Sequence, residues 1–191
     1  MVLLEGSAKS PKLVWCATTE IPDDAEDPLE FAQDFLREQA KQNKLPGESV
    51  GLAVDSGLAA FRTLKLPFAD TAKIEQVIKF EVESQLPQWE IDDVIIDWHR
   101  LASSPIESEL IVTAVPKAAL KANIDVCAKA GLEPQEVELE ATAMVNAAHH
   151  AGAFDPESSQ VLVHVGDGTT SVAVLEGGEL RSMRAVHIGA S

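Results

Sequence analysis

The chain has 191 residues, of which 31 are acidic and 15 basic, so its formal net charge is −16. Its hydrophobic fraction of 46% is enough to form a folded core, which excludes an intrinsically disordered protein. An acidic surface repels phosphate groups, which excludes nucleic acid and anionic lipid headgroups as partners. No apolar run approaches the roughly 20 residues that cross a bilayer, and Met1–Leu4 is too short for a signal-peptide core. These features predict a soluble cytoplasmic protein without direct membrane insertion.

The first 44 residues predict a β-hairpin followed by a capped helix. Apolar runs at Val2–Glu5 and Lys12–Ala17 flank a turn rich in Gly, Ser and Pro. Asp27 can accept hydrogen bonds from the free amides of the next turn, and Pro28 suits the first helical position. A helix is therefore predicted over Pro28–Lys44, ended by the turn Leu45-Pro46-Gly47. Its apolar face comprises Phe31, Phe35 and Leu36.

The two cysteines are predicted to be buried free thiols. Cys16 lies on an apolar strand and Cys127 on an apolar helix face, far apart in sequence. Neither has a neighbouring His or basic residue that would activate a thiolate, so a catalytic role is not expected.

The middle of the chain predicts a strand–helix–strand–strand module. One amphipathic helix, capped by Asp70, would pack on an antiparallel sheet. Its apolar positions follow helical spacing at Ile74, Val77, Ile78 and Val82. The three strands of the module are predicted at Ala60–Leu66, Asp92–Leu101 and Glu109–Val115. A separate strand is predicted before the module at Ser49–Val54, and the turn Asp55-Ser56-Gly57 ends it.

The remaining residues predict two helices and four strands. The short strand Pro134–Glu140 would direct Val137 and Leu139 inward. The helices are expected at Pro116–Ala130 and Ala141–Ala151, and the last three strands at Gln160–Val165, Thr169–Leu175 and Glu179–Ile188.

The segment Gly166–Thr170 is the most informative candidate site. An apolar strand that enters a glycine-rich turn can direct backbone amides and threonine hydroxyls at a phosphate group. Asp-Gly between two apolar runs is equally the signal for a tight type I′ hairpin turn, and the residue types alone favour that turn.

Other candidates carry weaker signals, and no catalytic or metal-ligating residue is predicted. His149 and His150 are adjacent on one helix and point in different directions, so they cannot chelate one metal together. The acidic run Asp23–Asp27 lacks the spaced ligands of a calcium loop. His99 and His187 are isolated, and Trp89 and Trp98 suit either a core or a protein interface.

Five segments occur in an order that carries a family resemblance. They are Arg62–Pro67, Glu81–Pro87, Asp92–Asp97, Ala130–Pro134 and Val163–Gly189. In this order they resemble the type IV pilus assembly protein PilM family, across essentially all 191 residues. That family has an actin-like ATPase fold and is related to FtsA and to the cytoplasmic part of GspL.

The resemblance implies an α/β (α+β) fold. The chain would be the N-terminal lobe of an actin-like ATPase fold, with a mixed β-sheet flanked by helices. Residues 1–59 and 137–191 would form an incomplete core subdomain. Residues 60–136 would form the inserted strand–helix–strand–strand subdomain.

The resemblance also implies a degenerate phosphate loop. The chain opens at what matches the second strand of the fold, so the first phosphate loop of the family is absent. The second loop would comprise Gly166, Gly168, Thr169 and Thr170, with His164 in the place of the family's aspartate and Asp167 in the place of a small residue. Mg²⁺ prefers carboxylate to imidazole, and a carboxylate would repel phosphate by roughly 4 kcal/mol at 4 Å. No cofactor is therefore expected for this chain. Binding of ATP with Mg²⁺ would be expected only in a complete parent protein.

The resemblance implies a scaffold in type IV pilus assembly. The partner would be the N-terminal tail of a PilN-like inner-membrane protein, bound in a groove between the subdomains, with self-association as a further expectation. The chain would be peripheral to the inner membrane through that partner. The alternatives are a nucleotide-binding ATPase or kinase-like fragment of the actin superfamily and a GspL-like component of type II secretion.

Overall fold

The computed structural model describes residues 1–7, 9–45, 49–104 and 106–190. Pro46 and Gly47 of the predicted helix stop, and Ser191, lie outside the described residues. The described helices and strands form a mixed α/β fold, which confirms the predicted class. The chain comprises two compact units, Met1–Leu52 with Lys121–Val137 and Ala53–Leu120 with Glu138–Ser191. The predicted division into 1–59 with 137–191 and 60–136 stays a prediction.

The helices and strands follow the predicted order, and most bounds agree within a few residues. In chain order they are β1 (Val2–Ser7), β2 (Ser10–Cys16), α1 (Pro28–Gln42), β3 (Gly51–Val54), β4 (Ala60–Leu66), α2 (Thr71–Glu83), β5 (Val94–Ser103), β6 (Ser108–Pro116), α3 (Lys117–Lys129), β7 (Glu136–Leu139), α4 (Glu140–His150), β8 (Ser159–Val165), β9 (Thr170–Glu176) and β10 (Glu179–Val186).

The predicted hairpin and helix cap are confirmed in the first unit. β1 and β2 pair antiparallel, and Asp27 Oδ1 accepts hydrogen bonds from Leu29 N and Glu30 N at 2.9 and 3.1 Å. The apolar face of α1 is only half-buried, and this helix has no fully buried residue. Cys127 is buried as predicted, but Cys16 is exposed. The prediction for Cys16 is wrong because Cys16 pairs with exposed Val2 on a largely exposed two-stranded ribbon.

The strand–helix–strand–strand module lies in the second unit and has its own core. β4, β6 and β5 form an antiparallel sheet in that order, and α2 lies against β4. Three of the four predicted helix positions, Ile74, Ile78 and Val82, are buried in this core, and Val77 is half-buried. Side chains that complete the core include Leu64, Leu66, Leu86, Leu110 and Val112, with Trp89 and Trp98 packed against it. Both tryptophans therefore have a core role.

A second antiparallel sheet supports the glycine-rich loop. It has the order β10-β9-β8, and α4 lies against β9. One face buries Ala173, Leu175 and Met183, which are at most 2% exposed. β3 pairs with β7, where Leu139 is buried as predicted but Val137 is 38% exposed. The inward orientation predicted for Val137 is wrong, because residues 136–138 of this short strand are all exposed.

Candidate functional site: a glycine-rich loop and its neighbours

The glycine-rich loop joins β8 to β9. Its last flanking strand pair is Val165 with Thr170, and Gly166 N donates a hydrogen bond to Thr169 O at 2.9 Å. A type I′ turn needs positive φ at both central residues, and neither Asp167 nor Gly168 has one. The type I′ prediction is therefore wrong, although the two strands do form the predicted antiparallel hairpin.

Both threonine hydroxyls of the loop donate hydrogen bonds within the protein. Thr169 is buried, and its Oγ1 donates to Asp55 Oδ2 at 3.4 Å. Thr170 Oγ1 donates to Ile188 O at 2.6 Å. A phosphate group would have to displace these acceptors before it could bind either hydroxyl.

The turn Asp55-Ser56-Gly57 lies beside the loop, which the sequence did not indicate. Asp55 Oδ1 accepts from Gly57 N at 2.8 Å, so the same carboxylate closes its own turn and contacts Thr169. A Cβ at Gly57 would lie 2.6 Å from Thr169 Oγ1. The available signal was the turn composition directly after an apolar strand, but nothing in it indicated Thr169, 114 residues away.

The residues after β10 also pack against the loop. Ala190 N donates a hydrogen bond to Gly166 O at 2.9 Å. Gly189 approaches so closely that a Cβ there would overlap Asp167 O and lie 2.6 Å from Gly168 N. The loop is thus in contact with two segments that are distant from each other in sequence.

His164 is tied to the start of α4. Its Nδ1 lies 2.9 Å from Glu140 Oε1, and each side chain is 38% exposed. Despite this short distance, Nδ1 has no hydrogen-bond partner among the described residues. The contact is therefore an ion pair only when the imidazole is protonated.

The other predicted candidates do not assemble into a site. His149 Nε2 lies 3.0 Å from Gly178 O and its ring contacts Phe154 edge-on. All three of His99, His149 and His150 are exposed. His187 lies near Gly57. Across residues 1–7, 9–45, 49–104 and 106–190, no three His, Cys, Asp or Glu side chains are grouped to hold a metal ion. Over the same ranges, no helix combines the length and apolarity needed to cross a bilayer.

Comparisons with known proteins identify the family and the fold. The family model described as type IV pilus assembly protein PilM matches residues 3–191. The chain is similar to the solved PilM-PilN type IV pilus biogenesis complex, with a TM-score of 0.81 and 19% identity over 98% of this chain. It is also similar to the cytoplasmic domain of EpsL, an inner membrane component of the type II secretion system of Vibrio cholerae. That match has a TM-score of 0.61 and 16% identity over 96% of this chain. A search of curated proteins found no match.

The chain matches only part of each of these solved chains. The chain spans 58% of the first solved chain and 64% of the second. Identities this low show the fold, which is the actin-like fold predicted from the resemblance. The family match is broader, since it covers nearly every residue. The chain therefore belongs to the type IV pilus assembly protein PilM family.

Proposed function

We propose that this chain is a cytoplasmic scaffold of type IV pilus assembly that binds the N-terminal tail of a PilN-like inner-membrane protein. The observation that carries the proposal is the family match over residues 3–191. The similarity to a PilM–PilN complex supports the choice of partner. The chain is then held at the inner membrane through this partner.

The charge of the chain is compatible with such a partner. Cytoplasmic segments next to membrane-spanning helices carry an excess of Lys and Arg. A chain with a net charge of −16 attracts a basic tail and is repelled by anionic lipid headgroups. Electrostatic attraction therefore favours the tail over the bilayer surface.

The proposal is tested by titrating the chain into a fluorescent peptide with the partner's N-terminal sequence. A scrambled peptide of the same composition is the matched control, because it keeps the charge and removes the order of side chains. We expect a Kd between about 1 and 100 μM for the native order and at least tenfold weaker binding of the scrambled peptide. Equal binding of both peptides, or no binding at about 1 mM, overturns the proposal.

We further propose that this chain alone does not hydrolyse ATP. Both loop hydroxyls and the Gly166 amide already have partners, and the carboxylate of Glu140 accompanies His164. These contacts do not favour binding of a phosphate group with Mg²⁺. The threonine hydroxyls would first have to break their hydrogen bonds within the protein, and the negative charge of Glu140 would repel the phosphate. Calorimetric titration with Mg-ATP is expected to give no binding heat, and micromolar binding would favour the nucleotide-binding alternative.

A role in type II secretion is the second candidate, favoured by the similarity to the EpsL cytoplasmic domain. The two roles differ in the membrane protein that is bound. Competition between the tail of the pilus partner and the corresponding segment of a secretion partner distinguishes them. Self-association is tested by sedimentation of the chain alone at several concentrations.

A further inference from the structure

We propose that the glycine-rich loop is locked in its conformation by the protein itself and needs no nucleotide to become ordered. Two segments contact it, Asp55–Gly57 and Ile188–Ala190, which together are named the clasp. This inference goes beyond the partner proposal and does not depend on it.

Gly189 is the closest contact of the clasp. A side chain there would overlap Asp167 O and come within 2.6 Å of Gly168 N, both of which are backbone atoms. Its φ is not in the left-handed region, so glycine is required for space and not for conformation. Gly189 therefore positions the segment after β10, because the lack of a side chain allows this segment to lie directly against the loop.

Hydrogen bonds fix the same segment on either side of Gly189. Ala190 N donates to Gly166 O at 2.9 Å, and Ile188 O accepts from Thr170 Oγ1 at 2.6 Å. One bond reaches the start of the loop and the other reaches the first residue of β9. The segment therefore spans the loop from end to end.

Gly57 is also closely packed in the other half of the clasp, but its neighbours are side-chain atoms. A Cβ at Gly57 would lie 2.6 Å from Thr169 Oγ1 and 3.1 Å from His187 Cε1. Its φ is also outside the left-handed region, so the requirement is again for space. A side chain at Gly189 would therefore push its half of the clasp away from the loop, whereas one at Gly57 would first displace the side chains of Thr169 and His187.

The consequence concerns when the loop becomes ordered. In a ligand-ordered phosphate loop, the bound anion supplies the partners of the backbone amides and hydroxyls. Here Gly166 N, Thr169 Oγ1 and Thr170 Oγ1 have protein partners instead. The loop can then serve as a fixed structural element of the second unit.

Hydrogen exchange of the amides of Gly166 and Ala190 tests the inference. In the nucleotide-free chain both amides are expected to be protected, and Mg-ATP or inorganic phosphate leaves their exchange unchanged. Gly189→Ala is expected to accelerate both by about tenfold or more, because its methyl group cannot be accommodated against backbone atoms. The control is Gly51→Ala, whose Cβ would meet no atom of the described residues within 4 Å.

A milder variant covers the case in which Gly189→Ala does not fold. Thr170→Val keeps the side-chain shape and removes the hydrogen bond to Ile188 O, so exchange at Ala190 should accelerate while exchange in β4 and β6 does not. Unchanged exchange at Ala190 in this variant, or protection that appears only with Mg-ATP, overturns the inference. Tail-peptide binding is measured separately, so failure of the clasp and failure of the partner proposal give different results.

Discussion

Ser56 Oγ accepts a hydrogen bond from Ala141 N at 2.8 Å, although the two residues are 85 positions apart. Both are fully buried. α4 begins at Glu140, and its N-cap residue, Leu139, has no side-chain oxygen to accept from the free amides of the first turn. Ser56 supplies that acceptor from a different part of the chain. The turn that contacts the glycine-rich loop through Asp55 therefore also caps α4.

Ser56→Ala should lower the free energy of unfolding by about 1–2 kcal/mol, because a buried amide of α4 loses its acceptor. Urea denaturation followed by circular dichroism measures the change. The control is Ser171→Ala, since Ser171 is 1% exposed and its Oγ has no hydrogen-bond partner in the described part of the chain. This control should change stability by less than about 0.5 kcal/mol, or raise it. Equal losses in the two variants would contradict the cap.

Leu110→Ala should destabilise the protein by about 2–5 kcal/mol. Leu110 is fully buried on β6 in the core of the module, so its truncation leaves a cavity. Phe80→Ala is the matched control, because Phe80 is 77% exposed on α2 and its removal leaves no cavity. The control should stay within about 0.5 kcal/mol of the unsubstituted protein. Comparable losses of stability in the two variants would contradict the position of Leu110 in the core.

Asp70→Ala should cost about 1 kcal/mol of stability. The carboxylate of Asp70 accepts a hydrogen bond from Lys73 N at 2.8 Å and so caps the first turn of α2. Glu75→Gln, at an exposed position of the same helix, is the control and should have an effect of a few tenths of a kcal/mol. Thermal and urea denaturation of both variants check the prediction, and an unaltered midpoint for Asp70→Ala would refute it.

The two cysteines should differ sharply in reactivity. Cys16 is exposed, whereas Cys127 is buried, and burial raises the pKa of the Cys127 thiol. A raised pKa lowers the thiolate fraction at a given pH, and the thiolate is the species that is alkylated. Iodoacetamide at pH 8 should therefore label one cysteine rapidly. Mass spectrometry should locate that label at Cys16. In Cys16→Ser the rapid phase should be absent from the folded protein, and Cys127 should react rapidly only after the chain is unfolded in urea.

The local elements could be predicted because their signals lie within a few residues of one another. Asp27 with Pro28 marked the start of α1, and Asp70 with the apolar spacing of Ile74 and Ile78 marked α2. Burial was less predictable, because it depends on what packs over a strand. Cys16 and Val137 were both predicted to be buried on short strands, yet both are exposed.

The sequence by itself determined the fold class, the order of helices and strands, the resemblance to the PilM family and the position of the glycine-rich loop. It could do so because capping, alternation and helical spacing are properties of neighbouring residues. Only the tertiary structure decided what surrounds that loop. Asp55 and Thr169 are 114 residues apart, and the contact of Gly189 with Asp167 depends on how β10 returns along the sheet. Such contacts form when strand pairing brings together segments that are far apart in sequence, and no local sequence pattern encodes that pairing.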